Sequence, residues 1–246
     1  MAVSRPWTGR TRGDEKVVYS HSRLSTHATC PKQFGLVYVD ERPRAGADYF
    51  DFGSLVHEAL EFMLGECKST GYVGTLPVDR VRLAFSYLWA RSGVRGFRPF
   101  ADAEDSLVMW AKRRGRVDGR RVVAVEAPFQ IKVAGHDVQG VIDLVDVDEY
   151  GAVRVIDYKT SKRMPTQADV DDSLQLSIYA LAMRQRFPGR RIRVALDMLR
   201  HDAVVWSERT DAQLDQAERY IGALIERIEA DTEFKARPSI LCGWCG

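Results

Sequence analysis

The chain has 246 residues, room for one large domain or for one domain with a small accessory lobe. Hydrophobic residues make up 45% and charged residues 28%, a globular balance, and no run approaches the roughly 18 apolar residues of a membrane span. The formal net charge of +2 is too small to argue for a nucleic-acid partner by itself.

The first residues, "MAVSRPWTGRTRGDEK", are polar and lack the apolar core of a secretory signal, so a flexible segment over 1–20 and a cytoplasmic protein are expected. Ser22 to Val39 reads as a short helix capped near Ser25, with Cys30 and Pro31 inside it or just after. Phe52–Leu64 is strongly helical: Leu55, Val56, Ala59, Leu60 and Met63 form one apolar stripe. His57 and Glu61 stand one turn apart on this helix. A lone helical histidine is more often structural than a ligand. Two more helices are expected around Asp79–Ser92 and Asp102–Gly115, making a helical lobe.

The pattern then changes to period two. From Arg121 to Lys159 it predicts four strands, with turns at Ala134–Asp137 and Glu149–Gly151. Glu126, in "VVAVEAPF", is a carboxylate among apolar neighbours; it is either functional or an edge residue facing solvent. A helix over Asp171–Phe187 follows, ended by Pro188–Gly189, and it carries Gln175 and Tyr179 four residues apart. A second hairpin comes next, "RIRVALDMLR" with "AVVWSER". A long final helix has Thr210 as its N-cap. Helices, strands, helix, strands, helix fit a mixed sheet with helices packed on it.

The sharpest signal is "GVIDLVDVDEYGAVRVIDYKTSK", Gly140–Lys162. A three-residue loop, Glu149–Tyr150–Gly151, sets Val147 against Val153, Val145 against Val155 and Asp146 against Arg154. That register places Asp143 opposite Asp157 on the valine face. Cross-strand Cβ atoms lie about 4.5–5.5 Å apart, where like charges repel. Two such carboxylates need a shared proton or a cation. Lys159 lies on the same face, and two acids beside a lysine suit a hard divalent ion that also holds a phosphate. The plain alternative is a surface sheet whose aspartates pair with arginines; the flanking valines argue against it.

Two features stay open. The arginine clusters at Lys112–Arg116, Arg120–Arg121 and Arg184–Arg193 are either phosphate-binding or solvated helix ends and turns. "CGWC", Cys242–Cys245, is a redox pair or part of a metal or iron–sulfur site.

Taken in order, "SRLSTHATCPKQFGLVYV", "GSLVHEALE", "GVIDLVD", "VIDYKTSK", "QLSIYAL" and "CGWC" resemble the RecB-like branch of the PD-(D/E)xK nucleases, and especially the iron–sulfur exonucleases associated with CRISPR adaptation and their phage relatives. The resemblance spans Ser22 to Cys245. It implies an α/β, restriction-endonuclease-like core with an N-terminal helical lobe. It implies a single nuclease domain over 21–246, a helical insertion at about 66–118 and a cysteine segment at 238–246. Asp143 and Asp157 would bind Mg2+ or Mn2+, with His57 and the Tyr158 carbonyl as further ligands. Lys159 would orient or activate the attacking water, and Gln175 would position Lys159 or the phosphate. Tyr179 would line the DNA path, and Glu126 would fill a recurrent acidic position.

Cys30, Cys242 and Cys245 match three of the four ligands of a [4Fe-4S] cluster. The fourth has no counterpart before Gly246, and truncation is the favoured explanation. The implied activity is exonucleolytic hydrolysis of DNA, on single-stranded ends, in repair, recombination or CRISPR adaptation, with any helicase supplied by a partner. A catalytically silent DNA-end-binding or partner-binding module is the alternative. A redox or metal sensor built on the cysteines would leave the hairpin acids unexplained.

Overall fold

A computed structural model describes residues 17–42, 47–94, 96–240 and 242. These fall into two compact units, one of Met1–Gly46, Phe129–Gly140 and Thr210–Gly246, the other of Ala47–Pro128 and Val141–Arg209.

The first unit opens on a short strand β1 (Val18–Tyr19) and helix α1 (His21–Thr29). The cap of α1 is Ser20, whose hydroxyl accepts from Arg23 N; the expected start near Ser25 was too late, because Ser20 already supplies the oxygen that the first turn needs. Cys30 ends α1, and Pro31 starts a four-residue helix α2 (Pro31–Phe34), where its missing N–H costs nothing. A five-residue π-helical turn, Gly35–Val39, follows. The long helix α8 (Asp211–Ala230) begins with the expected Thr210 cap, completed as a capping box by Gln213. Tyr19 donates to Glu229 at 3.0 Å, and buried His27 meets Asp231 at 2.9 Å. Phe34 stacks on Phe234 at 5.9 Å. These contacts bring both ends of the unit's sequence together.

The second unit carries helices α3 (Ala47–Thr70), α4 (Val78–Ser92) and α5 (Phe97–Arg114), with a small antiparallel pair of β2 (Val73–Thr75) and β3 (Arg116–Asp118) between them. Leu55, Val56, Leu60, Phe85, Leu107 and Trp110 form one apolar cluster with Leu144, Ile156 and Tyr158 of the sheet. The three helices thus cover one face of the sheet.

Three long strands replace the four expected: β4 (Val122–Val133), β5 (His136–Val147) and β6 (Val153–Lys159). The reason is the turn between β4 and β5. Only Ala134 and Gly135 are spent on it, both with positive φ, as a tight hairpin requires. Within the second unit the strand order is β5-β6-β7-β8, with β7 (Ile192–Met198) parallel to β6 and β8 (Ala203–Glu208) antiparallel to β7. The helix expected over Asp171–Phe187 is α7 (Leu174–Arg186), capped by Ser173, and a short helix α6 (Gln167–Asp171) precedes it. Helix α7 packs on β6 and β7. The architecture is a mixed α/β sheet flanked by helices. No helix among the described residues is long and apolar enough to cross a membrane.

The hairpin register is as derived: Val147 pairs with Val153, Asp146 with Arg154, Val145 with Val155 and Leu144 with Ile156. Gly151, at φ 85°, supplies the left-handed loop position, and Asp148 Oδ1 accepts from Tyr150 N and Ala152 N. Asp146 takes both prongs of the Arg154 guanidinium, at 2.6 and 2.7 Å.

Candidate active site

The residue pairs of β5 and β6 stop at Leu144–Ile156, one position short of the two aspartates. Here Asp143 breaks the regular pattern: its Oδ2 accepts the backbone N–H of Tyr158 at 2.7 Å. The same oxygen lies 3.5 Å from His57 Nδ1 on α3. The apolar stripe read from α3 is buried in the helical cluster, and this packing carries His57 to the end of the hairpin. Its ring meets Tyr158 edge-on at 6.2 Å.

Glu126 arrives by a different device. It has φ 45°, a left-handed residue inside a strand. Such a residue marks a bulge and re-aims the side chains beyond it. Beyond it, burial along β4 falls on the odd positions, at Ala127, Ile131 and Val133. Ligand atoms of His57, Glu126 and Asp143 all fall within 4.8 Å of one another.

Asp157 is not one of that trio. Asp157 is 3% exposed, and its carboxylate closes a ring of one ion pair and three hydrogen bonds with Lys159, Gln175 and Tyr179. Lys159 Nζ lies 2.6 Å from Asp157 Oδ2 and donates to Gln175 Oε1 at 3.1 Å. Gln175 Nε2 donates to Tyr179 OH at 2.8 Å, and the Tyr179 hydroxyl lies 3.3 Å from Asp157 Oδ1 and 3.0 Å from the Val141 carbonyl. The i, i+4 spacing on α7 is what lets Gln175 and Tyr179 act together.

The charges around these atoms explain the titration. Burial pushes the Asp157 carboxyl up to about 6; the Lys159 ammonium opposes the rise and the Asp143 charge adds to it. Burial raises Glu126 as well, reinforced by Asp143, Glu61 and Asp157 and opposed by His57. For His57 burial works against the cation, but Asp143, Asp157 and Glu126 outweigh it and its pKa is raised. Burial and the two aspartates keep the Tyr179 phenol far above its ordinary range, so it is a neutral donor. All three acid–base groups around the centre thus hold protons more tightly than usual.

An imidazole nitrogen and two carboxylates at this spacing, with a third carboxylate close enough to repel them, fit a divalent cation with oxygen and nitrogen preference. Glu61 itself is exposed, one turn beyond His57.

Tyr179 is 5% exposed, and its hydroxyl is turned into the ring around Asp157. The spacing of Gln175 and Tyr179 was visible in the sequence; their closure onto Asp157 was not, because it depends on how α7 lies on β6.

Cys30 and Cys242 both lie against the segment that follows α8, and Cys67 lies in the other unit. Cys30 Sγ accepts from Arg237 N at 3.5 Å, and Cys242 Sγ accepts from Ser239 N at 3.3 Å. Burial opposes ionisation of Cys30, yet the N–H donors of Arg237, Gln33 and Lys32 lower its pKa. Cys67 is buried among the apolar side chains of α3, where burial raises its pKa. Cys245 lies outside the described residues.

Residues 18–246 match the family described as the PD-(D/E)XK nuclease superfamily, and the chain belongs to it. Its mixed sheet with flanking helices is the restriction-endonuclease-like fold of that family. Among solved structures it is similar to a protein from Eubacterium rectale described as a "Putative exonuclease", at TM-score 0.56 and 12% identity, over 93% of this chain and 86% of that one. A structure described as SSO0001 aligns at TM-score 0.34 and 15% identity, over 82% of this chain and 94% of that one. No curated protein matches the chain.

Proposed function

We propose that this chain is a metal-dependent deoxyribonuclease of the RecB-like branch, an exonuclease acting on single-stranded DNA ends. The observation that carries the reading is the meeting of His57, Glu126 and Asp143 beside the Asp157–Lys159–Gln175–Tyr179 ring, within a nuclease fold.

His57, Glu126, Asp143 and Asp157, with the Tyr158 carbonyl, would hold Mg2+ or Mn2+. Such an ion, when bound, polarises a phosphoryl oxygen and lowers the pKa of a water molecule. The remaining work falls to side chains. Lys159 is fixed from two sides, by Asp157 Oδ2 and Gln175 Oε1, so its third N–H points in a set direction. There it orients the attacking water or donates to a phosphate oxygen as negative charge builds on it. Gln175 holds the ammonium, and Tyr179 holds Gln175. Glu126 supplies negative charge on the side of the cluster facing His57.

The biological setting that fits is processing of DNA ends in repair, recombination or CRISPR adaptation in the cytoplasm, with a helicase or recombination partner for duplex substrates. Phosphodiester hydrolysis transfers no electrons, so an iron–sulfur cluster on Cys30, Cys242 and Cys245 would be structural, and no step depends on it.

The test is digestion of end-labelled single-stranded DNA with Mg2+ or Mn2+, read by product length, with Asp157→Ala as control. Metal-dependent shortening from one end, abolished in the variant, is expected. Binding of DNA ends without any cleavage would instead leave the silent end-binding module.

A further inference from the structure

The helix-covered face of the sheet holds a second polar site, with no part in the chemistry above. A cleft of about 600 Å3 opens where the last turn of α5 meets β5, β6 and the turn after β3. It is lined by six arginines: Arg113, Arg114, Arg116, Arg120, Arg121 and Arg154. Two of the three arginine clusters of the sequence thus meet here.

The carboxylates in its walls hold the guanidiniums in place without exhausting them. Asp146 is shared by Arg114 and Arg154, and Asp118 by Arg120 and Arg121. Arg113 is held by Asp197 at 2.6 Å and by Asp202 at 2.8 Å, Asp148 is spent on its own turn, and Glu149 is the fifth carboxylate of a wall with six arginines. Each guanidinium has five N–H groups, so donors exceed acceptors throughout.

A separate observation points the same way. Among the described residues five buried side-chain atoms have no hydrogen-bond partner, and three of them lie together here: Arg114 Nε in the cleft wall, with Trp110 Nε1 and Tyr158 OH behind it. All three are donors, on side chains in mutual contact: Tyr158 meets Trp110 edge-on at 6.2 Å, and Arg114 lies over Trp110 at 5.9 Å. Tyr158 shares the β6 face of Arg154 and Ile156, both in the cleft wall. Buried donors are costly when unpaired, and native proteins leave few of them.

We propose that this cleft binds a phosphate-bearing ligand of nucleotide size. Its volume falls within the roughly 300–1,000 Å3 of small-molecule sites, and preset guanidinium forks match phosphate oxygens. Either a free nucleotide or the phosphorylated end of a DNA strand offers that chemistry. Because the same Tyr158 gives its backbone N–H to Asp143, an occupant would also steady the strand between Asp157 and Lys159.

The test is calorimetric titration of the metal-free full chain with inorganic pyrophosphate. Saturable one-site binding is expected. Arg116→Glu, at an exposed position, should weaken it about tenfold, the value of one charge-assisted contact. Arg114→Met and Tyr158→Phe should weaken it too, while Asp157→Asn leaves the affinity unaltered. Competition by dTMP or by a 5′-phosphorylated oligonucleotide identifies the source of the phosphate, and either result supports the assignment. No saturable heat overturns it. So does binding that ignores Arg116→Glu and Arg114→Met but changes with Asp157→Asn. Nuclease activity is scored separately and stands or falls by itself.

Discussion

Tyr158 donates its backbone N–H to Asp143 Oδ2 at 2.7 Å, so a side chain of one strand takes the place of a backbone acceptor for the next. That bond fixes one carboxylate oxygen of Asp143 beside His57 and Glu126. It also explains why the regular pairing of the hairpin ends where the chemistry begins.

Replacing Asp143 or Asp157 by Asn should lower cleavage by about 10²–10³-fold, the scale of removing one preorganised electrostatic group. The stability readout separates a site residue from a structural one. Burial already disfavours the Asp157 charge, so Asp157→Asn should melt at or above the wild-type temperature without metal. Its rise in melting temperature on adding Mn2+ should be lost. A variant that simply unfolds would contradict this.

Tyr179→Phe keeps the ring and removes the hydroxyl from Asp157, Gln175 and Val141. A loss of about 0.5–1.5 kcal/mol in stability is expected. A fall in kcat of about tenfold should accompany it, with KM for DNA unchanged, because the effect passes through Lys159 positioning. A rise in KM alone would return Tyr179 to a base-contacting role.

Metal affinity should climb with pH from about 5 to 8. The folded-state pKa values of His57, Glu126 and Asp157 are all raised, so protons compete with the ion across that window. Without metal the sign is opposite for stability. Groups with raised folded pKa values favour the folded state at low pH, and that contribution fades as pH rises through those values. Melting curves with and without Mn2+ should therefore diverge as pH rises, and parallel curves would refute the cluster.

In the other unit, Asp231 accepts from His27, Glu233 N and Phe234 N. Burial works to raise its pKa, but these donors prevail and lower it. Its contribution is present above the ordinary carboxylate pKa and is lost as pH falls through the depressed one. Asp231→Asn should cost about 1–2 kcal/mol at pH 7, with the gap closing in acid, as denaturant melts at pH 7 and pH 3 would show.

The hairpin was legible because its evidence is local. Alternation and one glycine set the register from Val145–Val155 to Val147–Val153, and the pairing runs on to Leu144–Ile156, one position short of the two acids. His57 and Gln175 came from motif order, whose residues the fold then brings near the same strand ends. What escaped was decided by packing or by one backbone angle. Ser20 rather than Ser25 caps α1 because of where the chain turns. Tyr179 faces inward because α7 lies flat on β6 and β7. Glu126 looked equally like an edge residue because no pattern in "VVAVEAPF" announces a left-handed kink. The arginines of α5 and of Arg120–Arg121 stayed open between phosphate binding and solvated turns, since only the fold brings them to one cleft.

That kink at Glu126 has a price in resilience. A side chain held at φ 45° costs about 1–3 kcal/mol, which glycine would not incur. Glu126→Gly should yield a sturdier protein and a poorer catalyst at once. Ruggedness and turnover pull this position in opposite directions, and the chain has kept the glutamate.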